Sequence, residues 1–311
     1  MPKGESKKED VLVSSIKAFI VAPLIFLIVL AAVFAYSGVW PPLVVIESES
    51  MQHSDTTSYI GVIDTGDIVV VKDVTGLDDV TSYMEGVATG HSTYGEYGDV
   101  VIYHRPGMEK PIIHRAILEL EYNFTGGGFD IPALADVPAS MWDVPGEEKR
   151  WWNLKQSVEL HDIGYRNATV LIDLGSMLTY MEARGNPHGG LITMGDHNWD
   201  VVNGTVVGKY DQKWISTIRE PVRADWIVGK ARGELPWFGL LKLWATGTAP
   251  ADTPQNSQDN LIVALALIIA IPVALDVSNS LLKRRGIELF GWTSRLSLRR
   301  VWNRLRRSGR D

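Results

Sequence analysis

Two uncharged runs bracket a long stretch of alternating apolar and polar positions. Ala18 to Tyr36 is 19 residues without a charge. At 1.5 Å per helical residue it covers about 28 Å, close to the hydrocarbon thickness of a bilayer. The apolar core of a cleavable leader is shorter, about 7–15 residues, so the run predicts an uncleaved anchor over 18–37. The second run, Leu261 to Leu275, has 15 uncharged residues and is followed by Asp276 and then Lys283-Arg284-Arg285. A basic stop behind such a run predicts a span over 261–282, with Asp276 near the interface. A buried soluble helix is the alternative. Pro250–Gln258 is polar and reads as the linker into it (251–260).

Between the runs the pattern is that of strands. Gly66-Asp67 opens Ile68–Lys72, and Gly98-Asp99 opens Val100–His104. Further β-branched runs are Ile112–Leu118, Ala168–Asp173, Leu191–Met194, Val201-Val202 with Val206-Val207, and Trp226–Val228. Gly, Asp or Pro bounds most of them. No strand–helix–strand rhythm appears, so the expected fold is mainly β, an antiparallel sheet or barrel over 38–250. Residues 121–165, rich in Gly, Pro, Trp and acids, read as an insertion with a short helix, and the insertion is taken to extend over 121–190.

Charge divides the chain. The whole has 30 Lys+Arg against 37 Asp+Glu, net −7, yet residues 283–311 hold ten basic and two acidic residues. Residues 18–282 are left with 16 basic and 32 acidic. Lys/Arg before the first run and after the second place both termini in the cytoplasm and the middle outside the plasma membrane. The tail past 285 interleaves Leu, Phe and Trp with arginines. It is expected to lie on an anionic leaflet and not on nucleic acid. An acidic body also suits a high-salt habitat. Sequons at Asn123, Asn167 and Asn203 all fall in the outer segment.

The chemistry available is narrow. With no Cys there are no disulfides, thiol nucleophiles or Cys-based metal sites, and no His-Glu-x-x-His occurs. No cofactor and no metal are expected. A hydrolase would need a Ser, Thr or carboxylate, and the candidates cluster at Glu47-Ser48-Glu49-Ser50-Met51, just outside the first run. If these residues form a strand, Glu47 and Glu49 face away from Ser48 and Ser50. His114, between Pro111-Ile112-Ile113 and Arg115, is either a half-buried core histidine or a base. Asp196 and Asp200 lie in Gly195-Asp196-His197-Asn198-Trp199-Asp200, which otherwise reads as a plain turn.

In this order the elements resemble type I signal peptidases, in particular the archaeal and endoplasmic-reticulum branch. That branch carries Ser-x-Ser-Met outside an N-terminal anchor, here Ser48-Glu49-Ser50-Met51. It then has a Gly-Asp strand (Gly66–Val71) and a second one leading to a His-Arg pair (Gly98–His104, then His114-Arg115). A Gly-Asp-Asn-Asn-like loop with a later Asp follows, here Gly195–Asp200. The family closes its domain with Val-Gly-x-Ala-x-Gly-x-x-Pro-x-x-Gly, here Val228 to Gly239. His53 replaces a usual proline, His197 a usual asparagine, and the later Asp falls closer than the family spacing.

The resemblance implies a membrane-bound serine endopeptidase that removes signal peptides from exported preproteins. Ser50 would be the nucleophile and His114 the general base. Asp200 is favoured as the group that orients His114, with Asp196 supporting or sharing the task. Ser48, Met51 and Arg115 would support the oxyanion and the loop. The implied partners are preprotein signal peptides, the lipid bilayer and the Sec translocon. The rival readings are a catalytically silent scaffold or accessory subunit, and a β-rich surface receptor.

Overall fold

Residue 21 and residues 23–104, 107, 110–215, 217–251 and 253–284 are described in the computed structural model of the protein. The expected cytoplasmic N-tail (1–17) lies outside these residues, as does the basic tail from 285 on. The chain divides into two units, one ending at Gln258 and the other starting at Asp259.

The strands of the first unit are β1 (Leu43–Val45), β2 (Ile68–Lys72), β3 (Ser92–Thr93), β4 (Glu96–Tyr97), β5 (Val100–Tyr103), β6 (Ile112–Asn123), β7 (Gly128–Asp130), β8 (Trp142–Asp143), β9 (Ser157–Ile163), β10 (Ala168–Asp173), β11 (Gly190–Met194), β12 (Trp199–Val202), β13 (Thr205–Gly208) and β14 (Ile227–Leu235). One sheet runs β1-β2-β14-β5-β6-β11, with β7 also on β6, and curls into a half-barrel. Every pairing within it is antiparallel. A second sheet runs β12-β13-β10-β9-β8, antiparallel except where β10 meets β13. The expected mainly antiparallel β fold is what the chain adopts.

β5 is an unbroken apolar run because both its faces are covered. Val100 and Ile102 pack with Ile46, Met51, Val69 and Val71 on one side. Val101 and Tyr103 pack with Ala116, Leu191 and Val222 on the other. β6 is the longest strand at 12 residues. Its far half carries Ile117, Leu118 and Leu120 into the core of the second sheet, against Phe129, Leu160 and Met177. Each such side chain contributes roughly 1.5–3 kcal/mol by leaving water.

Residues 121–190, expected as an insertion, supply β7 to β10 and a helix α3 (Leu174–Glu182) that follows β10, past the 121–165 stretch where a short helix is expected. The second sheet is not confined to them. The β12–β13 hairpin completes it, turning on Asn203 and Gly204, both at positive φ (51° and 83°). That geometry suits the twist of a two-residue hairpin.

Helix α1 spans Pro23–Ser37, so the first expected anchor is described only from residue 21 on, without 22. Three other helices are α2 (Tyr83–Thr89), α4 (Asp211–Trp214) and α5 (Leu240–Thr246). α5 buries Leu240 and Leu243 and exposes Leu241 and Trp244. The last helix, α6 (Gln255–Arg284), begins inside the expected linker. Asn256 lies in its first turn. Its side-chain oxygen accepts from the Ser58 N–H (2.8 Å) and its amide donates to the Ser58 carbonyl (2.9 Å). Within α6, Gln255–Leu275 contains an 18-residue stretch with a mean hydropathy of 2.0, of which 6% is buried. Among the described residues it is the one helix long and apolar enough to cross a bilayer. Of the two expected spans, the C-terminal one meets this criterion of length and composition, and the N-terminal run lies partly outside the described residues.

Candidate active site

The segment after β1 leaves the sheet and tightens into a turn, closed by the Gln52 N–H donating to the Glu49 carbonyl (2.9 Å). Met51 anchors the turn. It is buried among Ile46, Ile63 and Val69. Ser48 and Ser50 end on the same side, their Oγ atoms 3.2 Å apart. Strand alternation fails here because Leu43–Val45 is the last paired stretch before the turn. Glu47, expected to face away, lines the same cleft as Ser48 and Ser50. Hydrogen bonds from Lys110 (2.6 Å) and Lys242 (3.0 Å) hold its carboxyl below the usual range.

His114 sits on β6, opposite Val101 of β5. Its strand face is shared by Tyr103 of β5, the partner of Ile112, and by Thr193 of β11, the partner of Ala116. All three side chains converge on one carboxylate, that of Asp211. Asp211 Oδ2 lies 2.7 Å from His114 Nδ1, and it accepts from Tyr103 Oη (2.7 Å) and Thr193 Oγ1 (2.7 Å). Asp211 is 1% exposed and His114 6%. A carboxylate on Nδ1 fixes the tautomer with its proton there, so Nε2 is left as the acceptor.

Gly195 stands between that Nε2 and the Ser50 backbone. A Cβ on it would run into the Ser50 carbonyl oxygen and stand 2.9 Å from both His114 Nε2 and Asn198 Nδ2. Only a glycine lets the imidazole and the Ser50 turn approach this closely. The next residues fasten the turn, since the His197 N–H donates to the Ser50 carbonyl (2.9 Å).

Asp196 and Asp200 do other work. Arg115, whose side chain leaves β6 on the opposite face from His114, grips Asp196 with Nε (2.8 Å) and Nη2 (2.6 Å). His53 adds a contact at 3.1 Å. Burial alone would raise the Asp196 carboxyl. Arg115 and His53 outweigh it and hold it below its ordinary value. Arg115 Nη1 also donates to the carbonyls of Thr93 (3.0 Å), Tyr97 (3.2 Å) and Gly98 (3.1 Å). Arg115 and Asp196 thus tie the β3–β4 ribbon to the loop beneath Ser50, which is a supporting role.

Asp200, favoured from the sequence as the partner of His114, lies on β12 in register with Val207 and pairs with Lys209 (3.2 Å) at the surface. The hairpin carries it away from His114. The residue at the histidine is Asp211, which follows that hairpin. No spacing rule points to Asp211, because the hairpin separates it from the Gly195–Asn198 loop. Tyr103 and Thr193 were likewise invisible as site residues, reading as ordinary strand positions.

The cleft over this site has a volume of about 690 Å³. Ser50, Ser48, His114 and Asn198 lie along it, with Leu43, Val45, Ile112 and Ile113 forming much of its apolar wall. Among the described residues no group of three or more His, Cys, Asp or Glu is placed to hold a metal ion. Chemically, the arrangement offers a serine hydroxyl, a histidine with its tautomer set, and an apolar channel between two strands. A scan against models of known protein families finds no match, and a search of curated proteins finds none.

Proposed function

We propose that the chain is a membrane-anchored serine endopeptidase of the signal-peptidase kind, which removes signal peptides from exported preproteins at the outer membrane face. The observation that carries this reading is the Asp211–His114 pair, with His114 Nε2 turned to the Gly195 gap beside Ser50. Ser50 Oγ attacks the scissile carbonyl and His114 Nε2 takes its proton. The tetrahedral oxyanion is held by the Ser50 N–H and Ser48 Oγ. His114 then gives the proton to the leaving amine, and water repeats the cycle on the acyl-enzyme. Asp211 stabilises the imidazolium throughout. In the structure Ser50 Oγ bonds Ser48 Oγ, so a turn about χ1 has to bring it to His114.

The apolar cleft between β1 and the start of β6 suits an extended peptide with small side chains. Position along the chain supports a membrane substrate. Thirteen residues separate Tyr36 from Ser50, at most about 45–50 Å if extended, so the site stays near the end of the first anchor. A multi-pass arrangement with both termini inside, and delivery of substrates by the Sec translocon, belong to the same proposal.

Membranes containing the chain should convert a preprotein to its mature form at the expected junction. Ser50→Ala and His114→Ala should each abolish conversion. The Ser48–Ser50 hydrogen bond favours one alternative, a silent scaffold whose serine is held off the base. Wild-type membranes that leave the preprotein intact would move that reading ahead.

A further inference from the structure

A second large concavity lies apart from the cleft. Lys155, Arg184, Lys213 and Arg219 line an open groove of about 1000 Å³, walled by α3 and α4. Fifteen Lys and Arg are described between residues 18 and 282. Eight of them sit within 4.0 Å of a carboxylate and seven do not. Four of those seven are the cations of this one groove. In a body with twice as many acids as bases, an unpaired cation is the exception, and four together are not chance solvation. The single carboxylate in the lining, Asp173, is committed to the start of α3, accepting from Ser176 N (2.9 Å) and Ser176 Oγ (2.7 Å). A concavity lined by one sign of charge concentrates ligands of the other sign.

The occupant must match more than charge. The groove is too large for one phosphate-sized ion. Aromatic surface is interleaved with the cations, since Trp214 is 58% exposed and Arg184 lies over the Tyr180 ring at 3.7 Å. An extended chain carrying both carboxylates and apolar side chains satisfies both. We propose that this groove is a binding site for an acidic stretch of polypeptide. It backs onto the catalytic machinery through α4. Asp211 reaches His114, Gln212 donates to the Leu191 carbonyl (3.3 Å), and Lys213 and Trp214 face the groove. Resting on the peptidase reading, the occupant is an acidic region of the preprotein itself.

The test uses full-length Ser50→Ala protein in detergent, so that binding is read without cleavage. The probes are a fluorescein-labelled peptide alternating Glu with Leu and Tyr, and its Gln counterpart, followed by anisotropy. The Glu peptide should bind, weaken steeply with salt, and lose about tenfold or more in Lys213→Gln/Arg219→Gln. Lys209→Gln, outside the groove, should leave binding unchanged. Unaltered thermal melts establish that the double variant is folded, and Lys213→Arg should retain binding. Equal binding of Glu and Gln peptides, or no loss in the double variant, overturns the proposal. So does much stronger competition by polyphosphate or by phosphatidylglycerol vesicles. A separate arm measures cleavage with Ser50 intact. The double variant should raise KM for a preprotein with an acidic mature region and leave kcat unchanged. If no preprotein is cleaved at all, the peptidase reading fails while the binding result stands.

Discussion

At the scale of single residues, Asp211 and Gly195 separate function from framework. On the proposed peptidase reading, Asp211→Asn keeps the shape and an acceptor but removes the charge that would stabilise a His114 imidazolium. The expected loss in kcat is about 10³–10⁴-fold, with little change in KM. Asp200→Asn, on the surface hairpin with Lys209, should stay within about twofold of wild type. Equal effects of the two in a preprotein assay would contradict this assignment. Gly195→Ala puts a methyl group against the Ser50 carbonyl and His114 Nε2. Cleavage should fall by about 10²-fold or more, out of proportion to any change in melting temperature. Ser50 and His114, which line one cleft, were singled out in the sequence because short motifs carry them. Asp211 was not, because its partnership spans 97 residues, with β7 to β13 lying between.

At the scale of elements, β6 does two jobs by alternation. His114 leaves on one face for Asp211, and Arg115 leaves on the other for Asp196. A one-residue slip would exchange these faces. The slip is resisted by pairing on both sides, with β5 at Val100–Tyr103 and with β11 at Gly190–Met194. Arg115→Ala strands the Asp196 carboxylate in the interior and removes a donor shared by the carbonyls of Thr93, Tyr97 and Gly98. It should cost roughly 3–5 kcal/mol in urea unfolding. Activity should be lost at temperatures where the variant is still partly folded, because the loop under Ser50 depends on the same pair. The strands themselves were readable from Gly-Asp starts and β-branched runs. Their order was not, since nothing local says that β14 inserts between β2 and β5.

At the scale of the whole molecule, pH acts through buried carboxyls far from the His114–Asp211 pair in sequence. Burial pushes Asp64 up to about 6 and Asp67 up to about 7, with Asp64 and Glu234 adding repulsion on Asp67. Both folded-state values exceed the ordinary carboxyl value near 4, so the folded chain holds these protons where the unfolded chain has released them. Their contribution to stability is greatest below about pH 4. It declines as pH rises through 4–7 and is gone above about 7. Asp196, held low by Arg115, acts in the opposite sense and loses its contribution in acid. Asp64→Asn keeps an acceptor for the Tyr59 N–H and removes a buried charge whose Oδ1 has no partner among the described residues. It should stabilise the protein at pH 8 by on the order of 1–3 kcal/mol and leave it unchanged at pH 4. Thermal melts across that range check the sign. A gain at pH 4 as large as that at pH 8 would remove ionisation as the cause.

By itself the sequence determined what is set by neighbours along the chain. These are the apolar run of α6, the alternating strands, the clustering of serines at Ser48 and Ser50 just outside the first run, and the absence of thiol chemistry. Such features depend on a few adjacent residues, and their physics is local. Only the tertiary structure decided which acid serves His114, that Glu47 faces the cleft, and that four unpaired cations share one groove. Each of these is a meeting of residues far apart in sequence. Which of them meet depends on how strands pair and curl, a choice made by the whole core and not by any one segment.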